Sequence, residues 1–312
     1  MLASRVELGT PISQRQLGKL AAVTADPEER KDLEQYQDAE AFLTHFLSNR
    51  FSVLDVLEDY QSCRLTFVEF LDLLQPLSPR QYSISSSPLG QHSLGANNAC
   101  ASVTYDVHEA PAFSQQNRIF HGVASSFLNQ CSPGTRLRCF VRATNAAFHL
   151  PKDSSIPIIM VAAGTGIAPM RGFIEERAAI VAAKGRKLGP ALLYFGCRDI
   201  DQDYIYRHQL EDWERAGAVS LRPCFSRHGP ADGSNPYRYT SDRIWAERDQ
   251  VADLFARGAK IFVCGSASRL AKSTADVCKK IWLERNSDCS ARDAEEWLDR
   301  QKEDRYVSDV FG

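Results

Sequence analysis

Several absences bound the problem. No stretch of the 312-residue chain approaches the roughly 20 apolar residues that a membrane helix needs, and runs such as IPIIMVAAG fall far short. The opening MLASRVELG lacks the cationic-then-apolar pattern of a secretory leader. Nine cysteines, scattered from Cys63 to Cys289, include no C-x-x-C pair, so no metal or dithiol motif is indicated and a reducing, cytosolic setting is expected. None of the seven histidines is grouped with a second His or Cys at ligand spacing, which argues against a metal site. The formal charge of -2 gives no bias toward nucleic acid or anionic lipid, so an anionic ligand must be recognised locally. Internal repeats and low-complexity tracts are also lacking.

With 44% hydrophobic and 24% charged residues, the chain can bury a core and is long enough for two domains. Ala39, Phe42, Leu43, Phe46 and Leu47 recur on one helical face, as do Phe67, Phe70, Leu71 and Leu74, so short packed helices are predicted over residues 12–75. PLSPR breaks that pattern. Ser, Val, Thr and Tyr then alternate with turn residues to about residue 150, which reads as strands. From Ile156 onward apolar runs and helical segments alternate: IPIIMVAAG, MRGFIEERAAIVAAKG, ALLYFG, YIYRHQLEDWERAG, VSLRPCF, a helix, then KIFVCG. This rhythm predicts a doubly wound parallel sheet beginning near residue 153. Leu270, Thr274, Val277, Cys278, Ile281 and Trp282 mark one more amphipathic helix.

Four segments suggest chemistry. GTGIAP at 164–169 follows a buried-strand run and opens a helix: Gly164 and Gly166 permit close backbone approach, Pro169 suits a first helical turn, and the helix terminus favours a pyrophosphate. A plain glycine turn is the alternative. FSR at 225–227 ends a strand, where Ser226 and Arg227 could hold a phosphate and favour NADPH over NADH, although an exposed arginine is more often only solvated. RQYSISSSP at 80–88 alternates Arg80, Tyr82 and Ile84 against Gln81, Ser83 and Ser85, a pattern that suits a dinucleotide flavin or a serine-rich edge strand. HGVASSFL at 121–128 is either a phosphate cradle at a helix start or an ordinary capped terminus.

Taken together, these segments resemble the diflavin NADPH–haemoprotein reductases over essentially the whole chain. RQYSISSSP resembles the family's R-x-Y-S flavin motif and HGVASS its FAD pyrophosphate loop, with GTGIAPMRGF, YFGCRD, FSR, FVCG and RYVSDVFG following in the family's order. LPKDSSIPIIMVAAGTGIAPMRGF and DAEEWLDRQKEDRYVSDVFG look closest to the reductase half of fused, self-sufficient fatty-acid monooxygenases. The resemblance implies a ferredoxin-reductase-like fold: a partial helical connecting region (1–75), a partial antiparallel FAD-binding barrel (76–153) and an NADPH-binding Rossmann-like domain (154–312). It also implies an oxidoreductase that moves a hydride from NADPH to FAD and passes electrons through FMN to a haem protein. That FMN would come from a missing or separate domain or a flavodoxin-like protein, with a haem-thiolate monooxygenase as eventual acceptor.

Residue by residue, the resemblance implies FAD contacts from Arg80, Tyr82, Ser83, Cys100 and Ser102, with Gly122, Val123, Ala124 and Ser125 at its pyrophosphate. It implies Gly164, Thr165 and Gly166 at the NADPH pyrophosphate, Arg198 near the phosphates, and Ser226 and Arg227 at the 2'-phosphate. Ser83, Cys264 and Asp309 match the hydride-transfer residues, and Phe311 would cover the flavin. Departures are present. The family's K-x-Y-x-Q clamp reads Tyr237-Arg238-Tyr239-Thr240-Ser241, so its lysine and glutamine are absent, Tyr239 stays in register and Arg238 could compensate, and Phe311 stands where tryptophan is usual. The family's first barrel strands have no counterpart, which leads one to expect an incomplete barrel. Two rivals follow: a non-catalytic NADPH-binding remnant, and a stand-alone reductase serving a ferredoxin or flavodoxin.

Overall fold

The computed structural model describes residues 2–90, 100–115, 117–143, 147–183 and 187–311. The expected helical tail at Lys184 and Gly185 and the terminal Gly312 lie outside them. The chain divides into two units, residues 1–81 with 106–136, and residues 82–105 with 137–312.

The first unit is mainly short helices: α1 Gln14–Val23, α2 Pro27–Gln35, α3 Ala39–Phe42 running into a π-helical turn at Leu43–Leu47, α4 Val53–Asp59 and α5 Phe67–Leu73. Their starts are written locally. Ser13 with Gln16, Ser52 with Asp55 and Thr66 with Glu69 form reciprocal capping boxes, and Asp26 caps a helix whose first residue is Pro27. Leu17, Leu20, Leu33, Phe46, Phe51 and Val56 fill the core. The expected shared face holds for Phe42 and Phe46 but fails for Leu43 and Leu47, which are 53% and 43% exposed. The π turn, closed by Ser48 N–H donating to the Leu43 carbonyl at 2.9 Å, inserts an extra residue and rotates both leucines outward. Phe67 is likewise exposed, and Leu73 is the buried residue of α5. The unit ends with an antiparallel pair, β1 Glu109–Pro111 and β2 Ile119–His121, and with α6 Val123–Asn129.

The strands expected to about residue 150 are realised sparingly. Among the described residues, regular pairing there is limited to β1 with β2, and Ile84 meets Val103 in a single bridge. Residue type favours extended backbone, but a strand also needs a ladder partner, which composition does not supply. Alternation also reads inverted at one point: Ser85 and Ser87 are buried while Ile84 is 42% exposed, because buried partners await the serines.

The second unit carries a five-stranded, all-parallel sheet: β3 Ile158–Ala163, β4 Ala191–Asp199, β5 Ser220–His228, β6 Lys260–Ser266 and β7 Tyr306–Phe311, in the order β5-β4-β3-β6-β7. The helices are α7 Ile167–Ala182, α8 Arg207–Arg215, α9 Thr240–Ala246, α10 Arg248–Ala256, α11 Lys272–Arg285 and α12 Ala291–Lys302. Alternate residues of β3 bury opposite faces. Ile158, Met160 and Ala162 pack with Ile167, Met170 and Ile174 of α7 and Leu210 of α8. Ile159 and Val161 pack with Ile244, Val251, Leu254, Val277, Ile281 and Leu298 of α9 to α12. A doubly wound sheet binds ligands beyond its strands' carboxyl ends where the strand order reverses, here between β3 and β6. No helix among the described residues is long and apolar enough to cross a membrane.

Candidate functional site

At the reversal point β3 runs into a tight turn, Gly164–Gly166, and then into α7. Gly164 has φ +53, and a β-carbon there would meet no atom within 4 Å. Gly166 is demanded by packing: a β-carbon on it would lie 2.1 Å from the carbonyl oxygen of Cys264 on β6. No side chain caps α7; its first amide, Ile167 N–H, donates to the Gly164 and Thr165 carbonyls, so the helix continues directly from the turn at the carboxyl edge of the sheet.

Beside this turn, Cys264 on β6 and Asp309 on β7 are register partners. Cys264 is buried, and desolvation, reinforced by the nearby Asp309 charge, pushes its thiol from the usual 9.0 up to about 12. Ser83 Oγ donates to Asp309 Oδ2 at 3.1 Å. Three residues spread over more than two hundred positions are thereby gathered at one strand end. Phe311 closes β7 opposite Ser266 and is 50% exposed.

The outer strands present cations at the same edge of the sheet. Ser226 and Arg227 lie near the end of β5, and the exposed Arg227 side chain makes no hydrogen bond or ion pair among the described residues. Arg238 donates to the Ser226 carbonyl at 2.9 and 3.2 Å, and its guanidinium lies 5.9 Å from the ring of Tyr239, the residue preceding α9. Arg198, exposed at the end of β4, is held loosely by Asp203 at 3.4 Å.

Two extended segments of this unit run together, with Ser85 N–H donating to the Ser102 carbonyl at 2.7 Å and the two hydroxyls 3.0 Å apart. Tyr82 packs edge-on against Tyr105 at 5.9 Å, while Cys100 is exposed. The remaining expected residues belong to the first unit. Arg80 is engaged there by both carboxylate oxygens of Glu7, and this contact holds the Glu7 carboxyl below its usual range. Gly122 precedes α6, whose first turn contains Val123, Ala124 and Ser125. Ser125 Oγ is occupied locally, accepting from His108 N–H at 3.1 Å, whereas the next hydroxyl, Ser126 Oγ, is buried without a partner among the described residues. Sequence reasoning stopped one residue short of Ser126, since every hydroxyl of a Ser-Ser pair looks alike until burial separates them.

Comparison with known proteins accords with this arrangement. Residues 1–127 match the FAD binding domain family, and residues 160–276 match the oxidoreductase NAD-binding domain family. The whole chain is 40% identical to part of a bifunctional cytochrome P450/NADPH–P450 reductase of Fusarium oxysporum and 39% identical to part of one from Bacillus cereus. It is also 40% identical to part of a self-sufficient cytochrome P450 monooxygenase of Phanerodontia chrysosporium. The chain spans 28% of the length of each of these relatives. Fold and site thus define an FAD- and NAD(P)-binding oxidoreductase of the ferredoxin-reductase-like type. Within that class, the chain is similar over its whole length to the reductase portion of these bifunctional P450/NADPH–P450 reductases, at about 40% identity.

Proposed function

We propose that this chain oxidises NADPH and passes the electrons through FAD toward an FMN domain or flavodoxin-like protein, with a haem-thiolate monooxygenase as the final acceptor, in a reducing cytosolic setting. When bound, the two cofactors supply the redox chemistry, a hydride moving from nicotinamide to flavin. The protein's task is to hold both and to set their approach.

Support comes from the residues themselves. Gly164, Thr165 and Gly166, leading into the start of α7, suit the NADPH pyrophosphate because the glycines allow close backbone approach and the helix dipole favours an anion. Ser226, the unpaired Arg227 and Arg238 suit a 2'-phosphate beside Tyr239, and Arg198 adds positive charge along the same edge. In the first unit, Gly122, Val123, Ala124 and Ser125 and the orphan Ser126 hydroxyl suit the FAD pyrophosphate, as does Arg80 once released from Glu7. Tyr82, Ser83, Cys100 and Ser102 suit the flavin ring in the second unit.

The observation that carries the proposal is the meeting of Ser83, Cys264 and Asp309 at the switch point of the sheet. Asp309 supplies fixed negative charge, Ser83 a hydroxyl that it orients, and Cys264 a thiol that stays protonated below pH 9 and therefore acts by packing and polarity, not as a nucleophile. Phe311, half-exposed at the end of β7, would cover the flavin when it is bound. The test is ferricyanide reduction by the purified chain, reconstituted with FAD and supplied with NADPH. Turnover that requires both FAD and NADPH is expected; its absence in a flavin-loaded sample would overturn the reading.

A further inference from the structure

A pair of buried charges in the second unit has no part in the machinery described so far. Arg171 and Glu175 lie one turn apart on α7, only 5% and 6% exposed, with Arg171 Nη2 3.8 Å from Glu175 Oε1. Burying ions is costly unless their hydrogen-bonding capacity is filled, so what they bind is informative. Arg171 Nη1 donates to the Ser85 carbonyl, its Nε to Gln209 Oε1 at 2.8 Å, and its guanidinium lies 4.8 Å from the ring of Tyr206. Glu175 Oε2 accepts from Ser87 N–H at 2.6 Å. The Tyr206 hydroxyl is in turn 2.8 Å from Thr104 Oγ1. Between the two charges sits Gly172, where a β-carbon would lie 3.3 Å from the Ser86 carbonyl oxygen, so the segment rests directly on the helix.

We propose that Arg171 and Glu175 are positioning residues: a buried ionic clamp that fixes the Ser83–Ser87 segment on α7 and so sets where Ser83 stands relative to Asp309 and Cys264. The inference rests on the functional reading above. Its physical basis is that, among the described residues, the backbone ladder in this segment is a single bridge between Ile84 and Val103, too little to fix register or depth. The clamp supplies what the ladder does not, grasping a carbonyl at Ser85 and an amide at Ser87 from one helical turn. That same helix begins at the Gly164–Gly166 turn, so one rigid element carries both the nucleotide turn and the anchor of the flavin-side segment.

The experiment uses the full chain loaded with FAD and compares Arg171→Lys and Glu175→Gln with Arg177→Lys. Arg177 is also buried on α7, but it donates to the Ala218 and Gly189 carbonyls at 2.8 and 2.6 Å, away from the segment. Glu175→Gln keeps an acceptor for Ser87 N–H while leaving Arg171 unpaired. A misplacement of about 1 Å can lower a rate on the order of 100-fold, so kcat for ferricyanide reduction should fall roughly 10- to 100-fold in both clamp variants. KM for NADPH should change less than about threefold, since the nucleotide contacts are untouched. The visible circular dichroism of bound flavin should shift in both, and Arg177→Lys should change thermal stability without altering that spectrum or kcat. Clamp variants that hold flavin and match the wild-type kcat and spectrum would overturn the proposal, as would an equal kcat loss in Arg177→Lys. A wild-type chain that holds FAD but is not reduced by NADPH would instead sink the functional reading.

Discussion

The five-stranded sheet and the extended segments at 82–87 and 100–105 lie in one unit yet are held by different means. In the sheet, β3 pairs along its length with β4 on one side and β6 on the other, and the Gly164–Gly166 turn is fixed by backbone packing so close that only glycine fits at 166. Among the described residues, the extended segments meet through one bridge and are otherwise secured by side chains: Ser85 with Ser102, Arg171 with Ser85, Glu175 with Ser87. The Gly164–Gly166 turn is therefore built by the fold itself. The Ser83–Ser87 segment depends on a few polar contacts that single substitutions can remove.

The largest expected effect attacks the backbone-built half. Gly166→Ala forces a β-carbon onto the Cys264 carbonyl, so the second unit should lose roughly 3 kcal/mol, the upper part of the usual overpacking range. Urea denaturation followed by Trp fluorescence checks this, since all four tryptophans lie beyond residue 200. Next, Asp309→Asn keeps an acceptor for Ser83 but removes the fixed charge, and should lower the rate of flavin reduction about 100-fold with stability nearly unchanged, as for loss of one preorganised electrostatic group. Stopped-flow spectroscopy reads this directly. Arg227→Ala should raise KM for NADPH about tenfold and leave KM for NADH alone, as loss of one charge-assisted hydrogen bond predicts. The effect should shrink with added salt because the residue is exposed. Smallest, Thr66→Ala removes the cap of α5 and should cost the first unit about 1 kcal/mol in thermal unfolding with unchanged turnover.

pH offers another contrast. Burial pushes the thiols of Cys224, Cys264 and Cys278 up to about 12 from 9.0. A group whose folded pKa is raised stabilises fully below its unfolded value and loses that contribution as pH climbs through the folded one. The second unit should thus weaken progressively from pH 9 to about 12, while the rate of flavin reduction shows no inflection from Cys264 below pH 9. An inflection below pH 9 that disappears in Cys264→Ser would contradict this.

The sequence was most legible where local signals coincide with tertiary structure. Alternating apolar runs and helices announced the doubly wound sheet, and the Gly164–Gly166 turn announced its switch point. The capping boxes mark the helix starts of the first unit just as openly. Periodicity alone did not yield α12 or β7, although Ser290 with Asp293 is a readable capping box and Tyr306–Phe311 alternates. Among the described residues of 76–153, β-favouring composition overstated the strands, since a ladder depends on a partner elsewhere in the chain. The clamp was invisible because Arg171 and Glu175 sit at ordinary helical spacing and read as a solvated pair; only their burial against Ser85 and Ser87 distinguishes them. The grouping of Ser83 with Asp309 was legible only through family resemblance, as nothing local links positions 226 residues apart.

The central claim is tested most directly by the visible spectrum of the FAD-loaded, desalted chain on anaerobic addition of NADPH. Retained flavin bands that bleach in the wild type, and bleach about 100-fold more slowly in Asp309→Asn, are expected. Flavin that is retained but stays oxidised with NADPH would contradict the account.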